Sequence, residues 1–317
     1  MSLVAFNTAS IRSRCGRRDG LGAWSAYVAV LVMVAPAAAQ APPGTDILIA
    51  DLGTFNGVYY LVGDPKNVTR RPEAYDNQPF FTPDGRSILF TSGYDDGNDG
   101  QTEIQRYYLS ANRITRITRT DESEYSPTPI PGDRAFSAIR VEADSTQRLW
   151  RFTMEGMDPQ VVLPDLEPVG YHAWADPNTL LLFVLGEPST LRLADLRTAR
   201  VEIVAENVGR SLHKIPNRNA FSFTQRVSDD EAWITEFDPN TKETTPLVRT
   251  LSGGDFHTWT PNGTLLMADG GSIYQWNPEL AKGWQLIADL EGMGLDFSRL
   301  AVSPDGTKIA VVGRARN

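Results

Sequence analysis

The three histidines of the chain recur at a nearly constant interval and in similar sequence contexts. His172, His213 and His257 are separated by 41 and 44 residues. The segments HAWADPNTLL (172–181) and HTWTPNGTLL (257–266) align without a gap, whereas His213 needs a shift of one residue. Neutral imidazole is the commonest protein ligand of transition metals. Three imidazoles that converge and leave one coordination position open would form a metal site of the catalytic type.

Residues at related places elsewhere in the chain extend this pattern, and each follows an apolar residue. Because adjacent side chains of a strand point to opposite faces, one member of each pair is expected to pack between sheets and the other to face a central channel. The predicted polar ring is Asp76, Ser126, His172, His213, His257 and Ser298. Asp76 would join the histidines as a ligand of a divalent metal, Zn or Mn, or act as a base. The competing interpretation is that these histidines only satisfy hydrogen bonds at the ends of strands.

A repeated turn sets the interval between the histidines. The stretches FFTPDGRSILF (80–90) and LAVSPDGTKIAVV (300–312) carry the clearest copies, and four weaker copies lie between them. Aligned on one turn position, the copies fall at Pro83, Pro131, Asp176, Pro216, Pro261 and Pro304, with spacings of 48, 45, 40, 45 and 43 residues. Proline presets φ, Asp and Asn bond their own backbone, and Gly accepts positive φ, so each copy predicts a tight turn before a strand.

The repeat predicts an all-β fold, a six-bladed β-propeller of four-stranded antiparallel blades over residues 40–317. Each repeat of 40-odd residues has room for four short strands, and no long stretch shows helical periodicity. After Pro304 only two strands fit, and the segments DILIADL (46–52) and VYYLVGDPKNVT (58–69) read as the missing two. We therefore expect the N- and C-terminal strands to share the last blade, which removes a pair of free sheet edges.

The first 39 residues read as a secretory signal peptide that is cleaved near Ala39. Four arginines precede an uncharged apolar stretch (21–39) that ends in small residues. An uncleaved membrane anchor is the alternative, since the stretch is just long enough to span a bilayer. Cleavage would leave a periplasmic or secreted protein without a transmembrane domain.

Charge and cysteine content narrow the classes of partner. The chain has a net charge of −9, and removal of residues 1–39 would make it about −12. Such acidity argues against nucleic acid, whose phosphates require basic patches. The single cysteine, Cys15, lies in the signal segment, so the exported protein would rely on its core rather than on disulfides.

The phrase QPFFTPDGRSILFTSGYDDG (78–97) resembles the WD-repeat-like blade of TolB-type propellers, whose blades carry S/T-P-D-G before a strand. The resemblance implies an exported six-bladed propeller that serves as a protein-binding platform. TolB proteins also carry a mixed α/β domain ahead of the propeller, whereas this sequence passes from the signal segment to the first strand within about seven residues. The TolB partnership with the peptidoglycan-associated lipoprotein is therefore not carried over.

The sequence thus favours a non-enzymatic scaffold that binds a protein or an envelope component. The alternative is a metal-dependent enzyme, a lyase or a hydrolase such as a lactonase, that acts on a polar small molecule resembling a sugar acid at the histidine cluster. Propellers serve both purposes, so the fold alone does not decide between them.

Overall fold

The computed structural model describes residues 43–93 and 101–316, and these form six four-stranded antiparallel sheets arranged in a ring. The predicted all-β, six-bladed propeller is confirmed. Within the described ranges, the only helical segments are two 3₁₀ turns, Leu251–Gly253 and Glu291–Met293. None of the described helices is long and apolar enough to cross a membrane. The predicted signal peptide lies outside the described residues.

Each blade runs outward from an innermost strand that faces the channel. The first blade consists of β3 Tyr75–Phe81, β4 Ser87–Gly93, β5 Thr102–Tyr108 and β6 Arg113–Arg116. The second consists of β7 Ser123–Pro129, β8 Ala135–Val141, β9 Gln147–Thr153 and β10 Gln160–Val161. The third consists of β11 Val169–Asp176, β12 Thr179–Val184, β13 Thr190–Asp195 and β14 Arg200–Glu206.

The other three blades follow the same order, with one exception at the chain ends. The fourth consists of β15 Val208–Lys214, β16 Phe221–Arg226, β17 Ala232–Phe237 and β18 Thr244–Arg249. The fifth consists of β19 His257–Trp259, β20 Leu265–Asp269, β21 Ser272–Trp276 and β22 Gln285–Asp289. The sixth consists of β23 Leu295–Val302, β24 Lys308–Ala315, β1 Asp46–Phe55 and β2 Val58–Asn67.

The sixth blade closes the ring because β1 pairs with β24 in antiparallel register, from Asp46 opposite Gly313 to Asp51 opposite Lys308. Strand β2 then covers the outer side of β1. The predicted sharing of one blade by both chain ends is confirmed.

The repeated turn joins the two inner strands of a blade, and its side chains explain its sequence. In the first blade Thr82 Oγ1 donates to Asp84 Oδ1 over 2.6 Å, and Asp84 Oδ1 accepts the Arg86 backbone N–H. Gly85 has φ 66°, the left-handed conformation that glycine tolerates best. Ser303 and Asp305 repeat the first contact in the sixth blade, also at 2.6 Å.

These turns meet around one end of the channel, which we call the turn face. A Cβ on Gly85 would lie 3.7 Å from Pro304 of the neighbouring blade, and one on Gly306 would lie 3.4 Å from Pro261. The innermost strands therefore begin at the opposite end of the channel, which we call the mouth.

The core is divided into six apolar clusters, one at each junction between adjacent blades, among the described residues. At the junction of blades one and two, for example, Leu89 and Ile104 pack against Phe136 and Phe152. Because every blade is buried on both faces by its neighbours, the ring fixes where each inner strand stands relative to the channel.

Candidate functional site

The central channel has a cavity of about 90 Å³, and four members of the predicted polar ring line it. Those four are Ser126, His172, His213 and His257. Asp76 and Ser298 are not among the residues that line it. The structure therefore brings the histidines to the channel wall but does not assemble the ring as predicted.

The three histidines do not share one register. His172 and His257 each lie two residues before a tryptophan. These tryptophans, Trp174 and Trp259, pair with Leu180 and Leu265, near the start of the second strand of their blades. In the fourth blade that pairing falls to Lys214 and Phe221, so Leu212 is the equivalent of the two histidines. His213 is one residue later and points to the other face of its blade.

His172 and Trp174 hold a buried serine of the preceding blade. His172 Nε2 lies 2.6 Å from Ser137 Oγ, and Trp174 Nε1–H donates to the same oxygen over 2.8 Å. Ser137 Oγ in turn donates to the Thr128 carbonyl over 3.2 Å. Since the serine proton is directed to Thr128, the arrangement is best satisfied when His172 carries its proton on Nε2 and donates it to Ser137.

The same arrangement recurs at the junction of blades four and five. His257 Nε2 lies 2.9 Å from Ser222 Oγ, and Trp259 Nε1–H donates to that oxygen over 2.8 Å. Ser137 and Ser222 are fully buried and occupy equivalent positions in their blades. We call each His-x-Trp pair with its serine a clamp. The clamps give His172 and His257 a role in hydrogen bonding between blades, which agrees with the competing interpretation of the sequence.

Asp76 has different partners from the histidines. It is fully buried, and its two carboxylate oxygens accept Arg71 Nη2–H over 2.6 Å and Arg71 Nε–H over 3.1 Å. Burial raises the pKa of Asp76 to about 6, against the opposing effect of Arg71. The contacts make Asp76 an anchor for the segment that enters the first blade.

No group of three or more His, Cys, Asp or Glu side chains in the described parts of the chain is placed to hold a metal ion. His213 and His257 do approach each other, with ring centroids 4.9 Å apart. His172 and Asp76 are held by the contacts described above. The four-ligand metal centre stays a prediction, and the arrangement of these side chains does not favour it.

Burial keeps the imidazoles uncharged. Desolvation lowers the pKa of His172 to about 3 and that of His213 to about 4. It also lowers the pKa of His257, with a further contribution from the neighbouring His213. All three are therefore neutral at pH 7 and contribute little positive charge to the channel.

The variant His172→Gln is expected to be less stable than the wild type at pH 7 but to lose less stability on acidification. The folded pKa of His172 lies below the unfolded value, so its contribution is complete above pH 6.5 and is lost as the pH falls towards 3. Glutamine keeps a donor for Ser137 but does not titrate in this range. Between pH 6.5 and 5 the difference in unfolding free energy should shrink by about 1–2 kcal/mol. Urea unfolding at both pH values measures it, and a difference that does not change with pH would contradict it.

The residues that do form a regular ring at the mouth lie five positions before each aligned turn. They are Gln78, Ser126, Tyr171, Ser211, Phe256 and Arg299, and all six line the cavity. The sequence interpretation counted by apolar-polar pairs and so placed Ser298 rather than Arg299 in the ring. A count from the turns gives the six residues that line the cavity, including Tyr171 and Phe256, the apolar residues that precede His172 and His257.

Arg299 is the central charged group of the mouth. Its guanidinium carbon lies 3.9 Å from the centre of the Phe256 ring and 5.0 Å from that of Tyr171. One Nη2–H donates to the Tyr171 hydroxyl over 2.9 Å. These contacts fix the plane of the guanidinium, and its other N–H groups have no acceptor within residues 43–93 and 101–316.

Arg210 adds a second positive charge at the rim of the same cavity. It is exposed, and neither Arg210 nor Arg299 forms an ion pair with a carboxylate among the described residues. The nearby Asp255 is already engaged, since its Oδ1 accepts Arg226 Nη2–H over 2.6 Å. The mouth is thus a locally positive, aromatic-lined site in a chain of net charge −9.

Two further cavities adjoin the channel and differ in character. A wide groove of about 1040 Å³ leaves the mouth between blades three, four and five and shares Arg210 and Phe256 with it. At the turn face lies a cavity of about 390 Å³, lined mainly by proline and aromatic side chains such as Pro83 and Trp174. Charged side chains line the mouth and its groove, whereas mostly apolar side chains line the cavity at the turn face.

No family model matches this sequence, and no curated protein matches it either. Solved structures do match. TolB from Acinetobacter baumannii superposes with a TM-score of 0.56 at 13% identity over 86% of this chain, which spans 64% of that protein. A protein described as TolB from Agrobacterium tumefaciens gives a TM-score of 0.65 at 13% identity, covering 86% of this chain and 99% of that one.

An oligogalacturonate lyase in complex with manganese also matches, with a TM-score of 0.51 at 12% identity over 82% of this chain and 83% of the lyase. Identities this low establish a shared fold and leave activity open. The chain has the six-bladed fold of the TolB-type β-propellers.

Proposed function

We propose that this chain is an exported, non-enzymatic propeller that binds a protein or an envelope component at the mouth of its channel. Export rests on the signal-like segment of residues 1–39. Binding rather than catalysis is favoured because two of the three histidines, the best catalytic candidates of the sequence, are held in clamps between blades.

One observation carries the choice of surface. Arg299 is half-buried between two aromatic rings at the centre of the mouth, without a carboxylate partner among the described residues. Partial burial of a charge is costly unless a partner compensates it. A ligand that docks at the mouth would supply the missing partner, and the adjoining groove offers room for the rest of it.

Site-specific photo-crosslinking tests this proposal. A photoreactive amino acid at position 227, an exposed position in the groove that adjoins the mouth, is expected to give a discrete adduct with one envelope component in cells that export the protein. The matched control carries the same group at position 134, an exposed arginine position in the turn at the opposite end. Adducts of equal yield at both positions, or none at position 227, would contradict a partner at the mouth.

The second candidate function is a metal-dependent lyase or hydrolase that acts on a sugar acid. It is favoured by the similarity of fold to an oligogalacturonate lyase in complex with manganese and by the approach of His213 to His257. The carboxylate of a uronate would also suit the arginines of the mouth. Metal analysis of protein purified without chelators separates the two functions, because stoichiometric Mn or Zn that is lost in His213→Ala would favour the enzyme.

A further inference from the structure

We infer that the mouth recognises a carboxylate of an extended peptide segment, with Arg299 as the residue that binds it and Arg210 as a second cation at the rim. This inference rests on the proposed binding function and names the chemistry of the ligand. The carboxylate is either the C-terminus of the partner or one of its Asp or Glu side chains.

The geometry of Arg299 suits a carboxylate better than other groups. A guanidinium presents parallel N–H groups that match the two oxygens of a carboxylate. Stacking against Phe256 and the hydrogen bond to the Tyr171 hydroxyl hold that fork in one orientation. Binding therefore requires little further ordering of the arginine, which lowers the entropic cost of recognition.

The charges around the mouth leave the arginines available to an anion. The carboxylate of Asp255 is paired with Arg226, and Asp76 is paired with Arg71. His172 and His213 are neutral because burial lowers their pKa to about 3 and about 4. The positive charge of the mouth thus comes from Arg299 and Arg210, among the residues that line it.

The sizes of the two cavities favour a peptide over a saccharide. The space beside Arg299 is about 90 Å³, room for a carboxylate with a small part of its parent molecule. The groove that continues from it is more than ten times larger, at about 1040 Å³, and runs outward between blades. A chain that ends or bends at the mouth and continues along the groove fills both spaces.

Four small probes test the inference in solution by NMR titration of the mature protein labelled with ¹⁵N. N-acetylphenylalanine mimics a chain terminus, and N-acetylaspartic acid α-amide, whose side-chain carboxylate is free, mimics an Asp side chain. N-acetylphenylalaninamide lacks the charge, and D-galacturonate represents an acidic sugar. At least one of the two peptide-like acids is expected to shift the Nε–H signal of Arg299. It should bind about 10–100-fold more tightly than the neutral amide, since hydrogen bonds to charged groups are the stronger kind.

Variants assign the effect to the proposed residue. Arg299→Gln is expected to remove the preference for acid over amide, and Arg299→Lys to restore little of it, because an ammonium lacks the fork and stacks less well. Arg210→Gln should weaken acid binding to a smaller degree. Arg134→Gln is the matched control: it removes one exposed arginine in the turn at the opposite end and should leave all affinities unchanged.

Three results would overturn the inference. They are equal binding of acid and amide, no binding of either peptide-like acid, and acid binding that survives Arg299→Gln. If D-galacturonate bound more tightly than both peptide-like acids, the ligand of the mouth would be an acidic saccharide and not a peptide. The crosslink at position 227 separates this inference from the proposed function. An adduct that persists in Arg299→Gln would support the proposed binding function but contradict carboxylate recognition by Arg299. No adduct in the protein with the wild-type Arg299 would contradict both.

Discussion

Deletion of residues 40–70 is expected to abolish the cooperative unfolding of the propeller. The deletion removes β1 and β2, and leaves the outer side of β24 without a partner strand. It also removes Ile47, Leu48 and Leu52 from the apolar clusters on both sides of the sixth blade. Each such side chain contributes about 1.5–3 kcal/mol when buried. Their combined loss is comparable with the roughly 5–15 kcal/mol that stabilises a typical domain.

Both proteins are produced without residues 1–39, so the deleted form begins at residue 71 and the matched control at residue 40. The two differ only in the segment that carries β1 and β2. Thermal unfolding followed by circular dichroism and calorimetry should show one sharp transition for the control. The deleted form should show a broad transition or aggregate through its exposed edge. A deleted form that melts as sharply and at the same temperature as the control would show that closure of the ring is not needed for stability.

Arg140→Met is expected to destabilise the protein strongly, because Arg140 is the partner of a buried carboxylate in the second blade. Arg140 and Glu124 are 5% and 0% exposed, and Arg140 Nε–H donates to Glu124 Oε1 over 3.0 Å. The guanidinium also lies over the rings of Trp150 and Phe152, at 4.5 and 5.1 Å from their centres. Without Arg140, Glu124 stays buried with the Thr120 hydroxyl as a donor but without the counter-charge that Arg140 supplies. Breaking one partner of a buried pair costs about 3–5 kcal/mol of unfolding free energy.

Two comparisons make this result specific, both measured by urea unfolding at pH 7. Arg151→Met removes an arginine from a partly exposed pair with Asp133, and should cost less than about 1 kcal/mol. The double variant Arg140→Met with Glu124→Leu removes both buried charges and should recover much of the loss. A cost for Arg140→Met no larger than that for Arg151→Met would contradict the argument.

The sequence alone was enough to predict the ring of blades. The turns are stabilised by side chains within the turn itself, as when Thr82 donates to Asp84. Their recurrence every 40–48 residues can therefore be recognised from the sequence. Closure could be predicted as well, because two strands at each end of the chain are too few for a blade. Both are consequences of local turn propensity and of counting strands, which depend little on packing.

The ring of site residues could be predicted only in part, because a shift of one residue in a strand exchanges its two faces. Counting by apolar-polar pairs placed Ser298 in the ring, whereas the backbone pairing of β23 and β24 is offset between Phe297 and Leu300, and Arg299 lines the channel. Such offsets occur in several inner strands, including Asn77 to Phe80 and Tyr125 to Thr128. A pattern of residue types does not reveal where they fall.

What only the tertiary structure decided is which partners the polar side chains find. His172 lies next to Ser137, 35 residues away in the chain, and Arg299 lies next to Tyr171, 128 residues away. No spacing rule links such residues, because they meet across blade junctions and across the channel. The sequence therefore pointed to the histidines as the chemical groups of the channel. Packing between blades instead gave two of them a hydrogen-bonding role and left an arginine between aromatic rings as the charged group at its mouth.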